Sequence, residues 1–152
     1  MQPKPKPKHW LFQFNPSTYR WFDRNKETAE PEQWLISQLS TLIHRGDLVA
    51  VWGSGQKAGV YGLGEVLTNP AKRPLNPAQA KYFVNQDSVD KFLEHYSAMV
   101  QYSKVLLEKP LSQEHCSRDP VLSKMQIMAN QQGTNFRLTY DEWIRIVELA
   151  GR

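Results

Sequence analysis

The chain has one cysteine, Cys116, among its 152 residues. A lone thiol excludes an internal disulfide and fits a reducing, cytoplasmic setting. Apolar runs last only a few residues, far short of the roughly 20 that span a bilayer, so no membrane partner is expected. The opening MQPKPKPKHW carries lysines without an apolar segment and does not read as a secretory leader.

A strong charge of either sign is also missing. Lysine and arginine number 19 against 15 acidic residues, a net +4. Lys4, Lys6 and Lys8 alternate with prolines at the start, which leaves only +1 for the rest. A protein that grips long duplex by phosphate neutralisation alone carries a much stronger basic footprint. Residues 1–8 read as a flexible, extended Pro/Lys tail, and residues 9–152 as a single domain.

Signatures of catalysis are equally scarce. His9, His44, His95 and His115 are scattered, and none stands at ligand spacing from another His or a second Cys, so no metal is expected. In His115-Cys116 adjacent side chains point apart, which is a poor start for a nucleophile and its base. No Gly-x-Ser-x-Gly elbow occurs.

Glycine is concentrated in one place, AVWGSGQKAGVYGLGEV at residues 50–66, which holds five of the eight. The spacing fails as a phosphate loop. Five residues after Gly53 stands Ala58, and five after Gly55 stands Val60, where a Walker A motif needs glycine. The dinucleotide fingerprint fails too, because Ala58 takes its third glycine position and a strand follows instead of a helix N-terminus. No cofactor and no enzyme activity are expected.

The local patterns suggest an α+β fold. HWLFQF (9–14) reads as a strand stopped by Asn15-Pro16. LVAVWG and GVYGLGEVL read as a hairpin around GSGQKA, and Gly62 and Gly64 leave one strand face nearly bare, against which a packed helix is expected. Pro31 and the spacing of Leu35, Leu39, Leu42 and Ile43 suggest a helix ending at Gly46. A second helix is expected from Ser88, with Val89, Phe92, Leu93, Tyr96 and Met99 on one face, and a strand then leaves at Pro110. A short helix is expected around 121–129 and a strand in TNFRLT. Thr139 and Glu142 form a capping box for a closing helix with Trp143, Ile146, Val147 and Ala150 inward. Residues 17–30 and 69–80 read as loops.

Five tryptophans remain to be placed. Trp10 and Trp143 read as core. Trp21 in a polar loop, Trp34 in the first turn of its helix and Trp52 at the edge of the glycine loop read either as packing or as walls for a flat ring.

Three stretches, taken in order, resemble the EVE domain, a member of the PUA-like superfamily related to YTH domains. They are WLFQFNP with Trp34 beyond it, RGDLVAVWGSGQKAGVYGLGEV, and GTNFRLTYDEWIRIVEL. The resemblance implies a PUA-like curved sheet or β-barrel flanked by about three helices. It also implies a non-catalytic module that accepts a flipped, modified base of DNA or RNA, of the 5-methylcytosine or N6-methyladenine type. Restriction or RNA-modification proteins are the implied partners. Carried onto this chain, the resemblance makes Trp34 a cage wall, Asn15 a hydrogen-bonding group for the base edge, and Trp52, Gly53 and Ser54 a rim. Trp21 is a second wall by position. Thr134 and Asn135 approach the same opening or serve a structural turn. Residues 69–99 match no motif, and Tyr82 or Phe83 is their candidate contribution. A protein-interaction domain that reuses the barrel and its exposed aromatics is the alternative.

Overall fold

The computed structural model describes residues 6–37 and 39–151. Positions 1–5 of the expected tail therefore lie outside the described residues. Lys8 is engaged: its N–H donates to Asp47 Oδ1 at 3.0 Å.

Among the described residues seven strands make one mixed sheet. They are β1 (His9–Phe14), β2 (Glu32–Ile36), β3 (Leu48–Gly53), β4 (Gly59–Val66), β5 (Tyr96–Val105), β6 (Leu111–Ser112) and β7 (Asn135–Leu138). The order is β2-β5-β4-β3-β1-β7, with β6 paired to the start of β4. Strand β1 runs parallel to β3 and antiparallel to β7. Register shifts at Val51/Trp52 and at Leu63/Gly64 add local twist, and the sheet curls into a half-barrel. Six α-helices among the described residues accompany it: α1 (Trp21–Glu27), α2 (Pro77–Ala80), α3 (Gln86–Leu93), α4 (Gln113–Arg118), α5 (Gln126–Ala129) and α6 (Tyr140–Ala150). A single 3₁₀ turn covers Leu122–Lys124.

Period-two alternation splits the apolar residues into two cores. Trp10, Phe12, Val49, Val51, Trp34, Ile36 and Val100 fill the interior of the curl, where α1 adds Trp21. Leu11, Ala50, Trp52, Val60 and Leu63 face the other way, beneath α4, α5 and α6 with Trp143 and Ile146. The expected capping box of α6 is present in both its hydrogen bonds. Val147 departs from the expected inward face and is exposed.

Strand β2 stands where the sequence pattern suggests a helix. Trp34 and Ile36 alternate into the interior, and Glu32–Ile36 pair in register with β5. That pairing overrides the leucine spacing, and Leu39, at φ 62°, cannot continue a right-handed helix. Residues 21–27, read as loop, form α1, whose N-cap Arg20 makes no side-chain cap for the sequence to reveal. The helix expected from Ser88 through Met99 ends at Leu93, because Tyr96 already begins β5.

The bare face of β4 meets both a helix and strands: at Gly62 the Trp21 ring of α1 lies 3.6 Å from a built Cβ and the Lys104 carbonyl of β5 3.4 Å, whereas at Gly64 the close neighbour is β5 alone. A Cβ on Gly64 would lie 2.5 Å from the Gln101 carbonyl oxygen of β5, and one on Gly59 would strike the Leu111 carbonyl of β6. Gly55, at φ 101°, is the hairpin position that needs glycine.

Among the described residues no helix is long and apolar enough to cross a membrane.

Candidate functional site

The two ends of the sheet order, β2 and β7, come together at a seam. A cavity of about 660 Å³ opens there, within the range of roughly 300–1,000 Å³ typical of small-ligand sites. The end of β1 contributes Gln13, Phe14 and Asn15, while β2 contributes Glu32 to Leu35. Gly133 and Thr134 precede β7, and Phe83, Ser88, Lys91 and Phe92 come from α3 and the segment before it.

Four of the residues named from the sequence meet at this cavity: Trp34, Asn15, Ser54 and Thr134. Trp34 lines the cavity with only 6% of its surface exposed and the rest packed in the interior core. Its Nε1 donates to the Tyr102 hydroxyl at 2.7 Å. Asn15 is exposed, and its Oδ1 accepts from the N–H and hydroxyl of Ser17 at 2.9 and 2.7 Å. That Asx turn holds the strand end in place and leaves the amide nitrogen as a free donor among the described contacts. The Ser54 N–H is spent on the Phe14 carbonyl at 3.0 Å, so its hydroxyl is what the rim can offer.

The other four do not line the cavity. Trp21 is fully buried and stacks on Phe14 at 4.8 Å, and its Nε1 donates to the same Tyr102 hydroxyl at 3.1 Å. It stands behind the wall and does not face the opening. Trp52 is fully buried in the second core on the opposite sheet face, because alternation along β3 sends Val49 and Val51 inward and Trp52 out beneath the helices. Gly53 is packed, with a Cβ there 2.7 Å from the Phe14 ring. Asn135 is buried and structural: its Oδ1 accepts from the Ser37 N–H at 3.0 Å and its Nδ2 donates to the Leu35 carbonyl at 3.2 Å.

Residues 69–99 supply the far wall. Gln33 and Gln79 exchange two hydrogen bonds, Gln33 N–H to Gln79 Oε1 at 2.8 Å and Gln79 Nε2 to the Gln33 carbonyl at 2.7 Å. Arg20 and Val84 then bond across to Tyr82 and Thr18. The result places Phe83 against Tyr19, with centroids 4.8 Å apart, and against Phe92 at 5.4 Å. Of the two residues suggested from this segment, Phe83 lines the cavity. Tyr82 turns away to donate its hydroxyl to Glu27.

Below the walls lies Glu32, 1% exposed. Its Oε2 accepts from the Tyr19 hydroxyl at 2.5 Å, and its Oε1 accepts from Tyr102. Arg24 is 3.8 Å away. Burial pushes the Glu32 carboxyl above the usual carboxylate range, against the opposing pull of Arg24 and the two hydroxyls. Burial, and then the neighbouring carboxylate, raise Tyr19 and Tyr102 far above the ordinary phenol value, so both remain protonated donors.

Cys116 is fully buried, and burial pushes its thiol up to about 12, the opposite of an activated nucleophile. Among the described residues no group of three or more His, Cys, Asp or Glu could hold a metal.

A curled half-barrel of PUA-like form, with an aromatic cavity at its seam, is the architecture these observations define. Over residues 8–149 the sequence matches the EVE domain family, and the chain belongs to that family. No curated protein sequence matches it. A hypothetical protein from Leishmania major is similar with a TM-score of 0.71 at 15% identity, over 96% of each chain. Rpa0253 from Rhodopseudomonas palustris gives 0.69 at 17% identity, over 95% of this chain and 93% of that one. Human THYN1, solved in complex with 5-methylcytosine-containing DNA, gives 0.65 at 13% identity, over 95% and 98%.

Proposed function

We propose that this domain is a non-catalytic reader that takes a modified, flipped-out base of DNA or RNA into the seam cavity. The carrying observation is the cavity itself, where Trp34, Tyr19, Phe83 and Phe92 gather beside polar groups at the strand ends. Flat aromatic faces suit a base, and each stacking contact is worth about 1–3 kcal/mol. That offsets the few kcal/mol needed to unstack the nucleotide. The Asn15 amide and the Thr134 hydroxyl stand at the opening as edge partners, with Ser54 at the rim. Lys91 lines the cavity, and Arg20 reaches the Lys81 carbonyl beside it at 3.4 Å. These two cations supply backbone phosphate contacts without demanding a strongly basic body.

Proteins of restriction or RNA-modification systems are the partners such a reader would serve. The DNA bound to human THYN1 makes 5-methylcytosine the first probe to try here. The deciding experiment measures binding to single- and double-stranded DNA and RNA oligonucleotides, each with and without 5-methylcytosine or N6-methyladenine. Preference for one modified member supports the reading; equal affinity across every pair contradicts it.

A protein-docking role has one observation in its favour. Tyr140, Ile144 and Val147 form an exposed apolar stripe along α6. Absence of oligonucleotide binding at low salt, with a stable protein partner recovered on this face, would favour that role.

A further inference from the structure

We infer that Glu32 is a positioning residue that sets two aromatic walls of the cavity at once, Tyr19 directly and Trp34 through the Tyr102 hydroxyl. The inference rests on the base-binding reading of the cavity and adds to it the device that fixes the spacing of the slot.

The geometry is a branched chain of hydrogen bonds from one buried carboxylate. One oxygen of Glu32 accepts the Tyr19 hydroxyl at 2.5 Å, and Tyr19 lines the cavity. The other accepts the Tyr102 hydroxyl. A phenol oxygen has one proton to give and two lone pairs to fill. Tyr102 gives its proton to Glu32 and fills both lone pairs, with Trp34 Nε1 at 2.7 Å and Trp21 Nε1 at 3.1 Å. No capacity is left over at that hydroxyl, so the Trp34 indole has one satisfied orientation.

Glu32 lies at the floor of the cavity with its oxygens already engaged. It is 1% exposed, and both of its oxygens are occupied by tyrosines, with Asn25 Nδ2 at 3.4 Å and Arg24 Nε at 3.8 Å completing the surround. A buried carboxylate is a poor means of stabilising a core compared with an apolar side chain of similar volume. Its partners explain its presence: one lines the cavity, and the other holds the tryptophan that lines it. Recognition sites lose discrimination when their walls are loose, and supporting hydrogen bonds are what lock the wall rotamers.

Register places the parts. Glu32 and Trp34 are two apart on β2 and so share a face, while Tyr102 comes from β5, the neighbour of β2. Tyr19 is held at the start of the wall segment by the neighbouring bond from Arg20 N–H to the Tyr82 carbonyl at 2.7 Å.

The test uses the full chain, ¹⁵N-labelled, as wild type, Tyr102→Phe, Tyr19→Phe and Glu32→Gln. In the unliganded protein the Trp34 Nε1–H resonance should move and gain fast mobility in Tyr102→Phe and Glu32→Gln, and stay as in wild type in Tyr19→Phe. For an oligonucleotide carrying one 5-methylcytosine, preference over its plain counterpart should fall about tenfold in Tyr102→Phe and in Glu32→Gln. It should fall less in Tyr19→Phe, which frees one wall only. Affinity for the plain oligonucleotide is measured beside it, so that the loss is read as a ratio and not as overall binding. An unmoved, rigid Trp34 indole in Tyr102→Phe overturns the inference, as does a displaced indole with undiminished preference. If the wild type prefers no modified base, the base-binding reading falls, and the clamp is judged on the indole alone. If Tyr102→Phe and Glu32→Gln fail to fold, the half-buried Tyr19→Phe carries the test, and unchanged preference there overturns the inference.

Discussion

The Asn135 side-chain oxygen accepts the backbone N–H of Ser37 at 3.0 Å, across 98 residues of sequence. Its amide nitrogen donates to the Leu35 carbonyl at 3.2 Å. Strands β2 and β7 are the two ends of the sheet order, so this one side chain fastens the edges of the half-barrel where the cavity opens.

Asn135→Ala therefore leaves a backbone N–H without its partner near a buried seam. The expected loss of stability is about 1–3 kcal/mol by urea denaturation, with faster hydrogen exchange at Ser37 than elsewhere in the sheet. Exchange at Ser37 equal to wild type would show that the edges hold without it.

Gly64 and Gly62 separate two kinds of glycine on one strand. A Cβ at Gly64 would lie 2.5 Å from the Gln101 carbonyl, whereas at Gly62 the nearest atom is at 3.4 Å. Gly64→Ala should destabilise by about 1–3 kcal/mol, the usual range for overpacking, while Gly62→Ala stays within about 1 kcal/mol of wild type. Matching thermal melts for the two variants would refute the close approach of β5.

Asp119 links α4 to the rest of the C-terminal cap. Its carboxylate accepts from the Val121 and Leu122 N–H groups at 2.9 and 3.1 Å and from Arg145 Nε at 2.7 Å. Burial works to raise this carboxyl, but the bonds from Arg145 and the two backbone groups outweigh it and hold it below its usual value. The unfolded chain then takes up this proton at higher pH than the folded one. The contribution is complete above about pH 3.9, the free Asp value, and is lost as pH falls through the lower folded value. Asp119→Asn should melt below wild type at neutral pH, and the gap should narrow as pH falls through the acid range. A gap independent of pH would contradict this.

The fold was legible where its signals are local. The strand stopped by Asn15-Pro16, the glycine hairpin and the Thr139–Glu142 capping box stand where residue pattern places them. Strand β2 was hidden because Pro31 and the leucine spacing offer a helix that only pairing with β5 defeats. Trp52 was misplaced for a simpler reason. A residue at a loop edge still obeys strand alternation, and Val49 and Val51 had already fixed the interior face. Of the far wall, the sequence offered Phe83 only as an alternative to Tyr82 and Phe92 only as part of a helix face, since the Gln33–Gln79 exchange that seats the segment joins residues 46 apart. Asp47 gathers the Lys8 N–H, the Trp10 Nε1–H and the His44 N–H around its carboxylate. Lys8 and Trp10 lie 39 and 37 residues away in sequence, so no local pattern announces this buried acid.

The central claim is that the cavity reads a base through its aromatic walls. Trp34 sits deep enough that Trp34→Ala costs stability, so Phe83→Ala, at the half-buried wall, is measured beside it, both under conditions where each remains folded. The direct measurement is the ratio of dissociation constants for plain and 5-methylcytosine-containing oligonucleotides, compared among wild type, Trp34→Ala and Phe83→Ala. The account predicts a ratio well above one in the wild type that collapses to about one in Trp34→Ala and falls in Phe83→Ala, with weak affinity for the plain strand retained. A wild-type preference that survives both substitutions would contradict it.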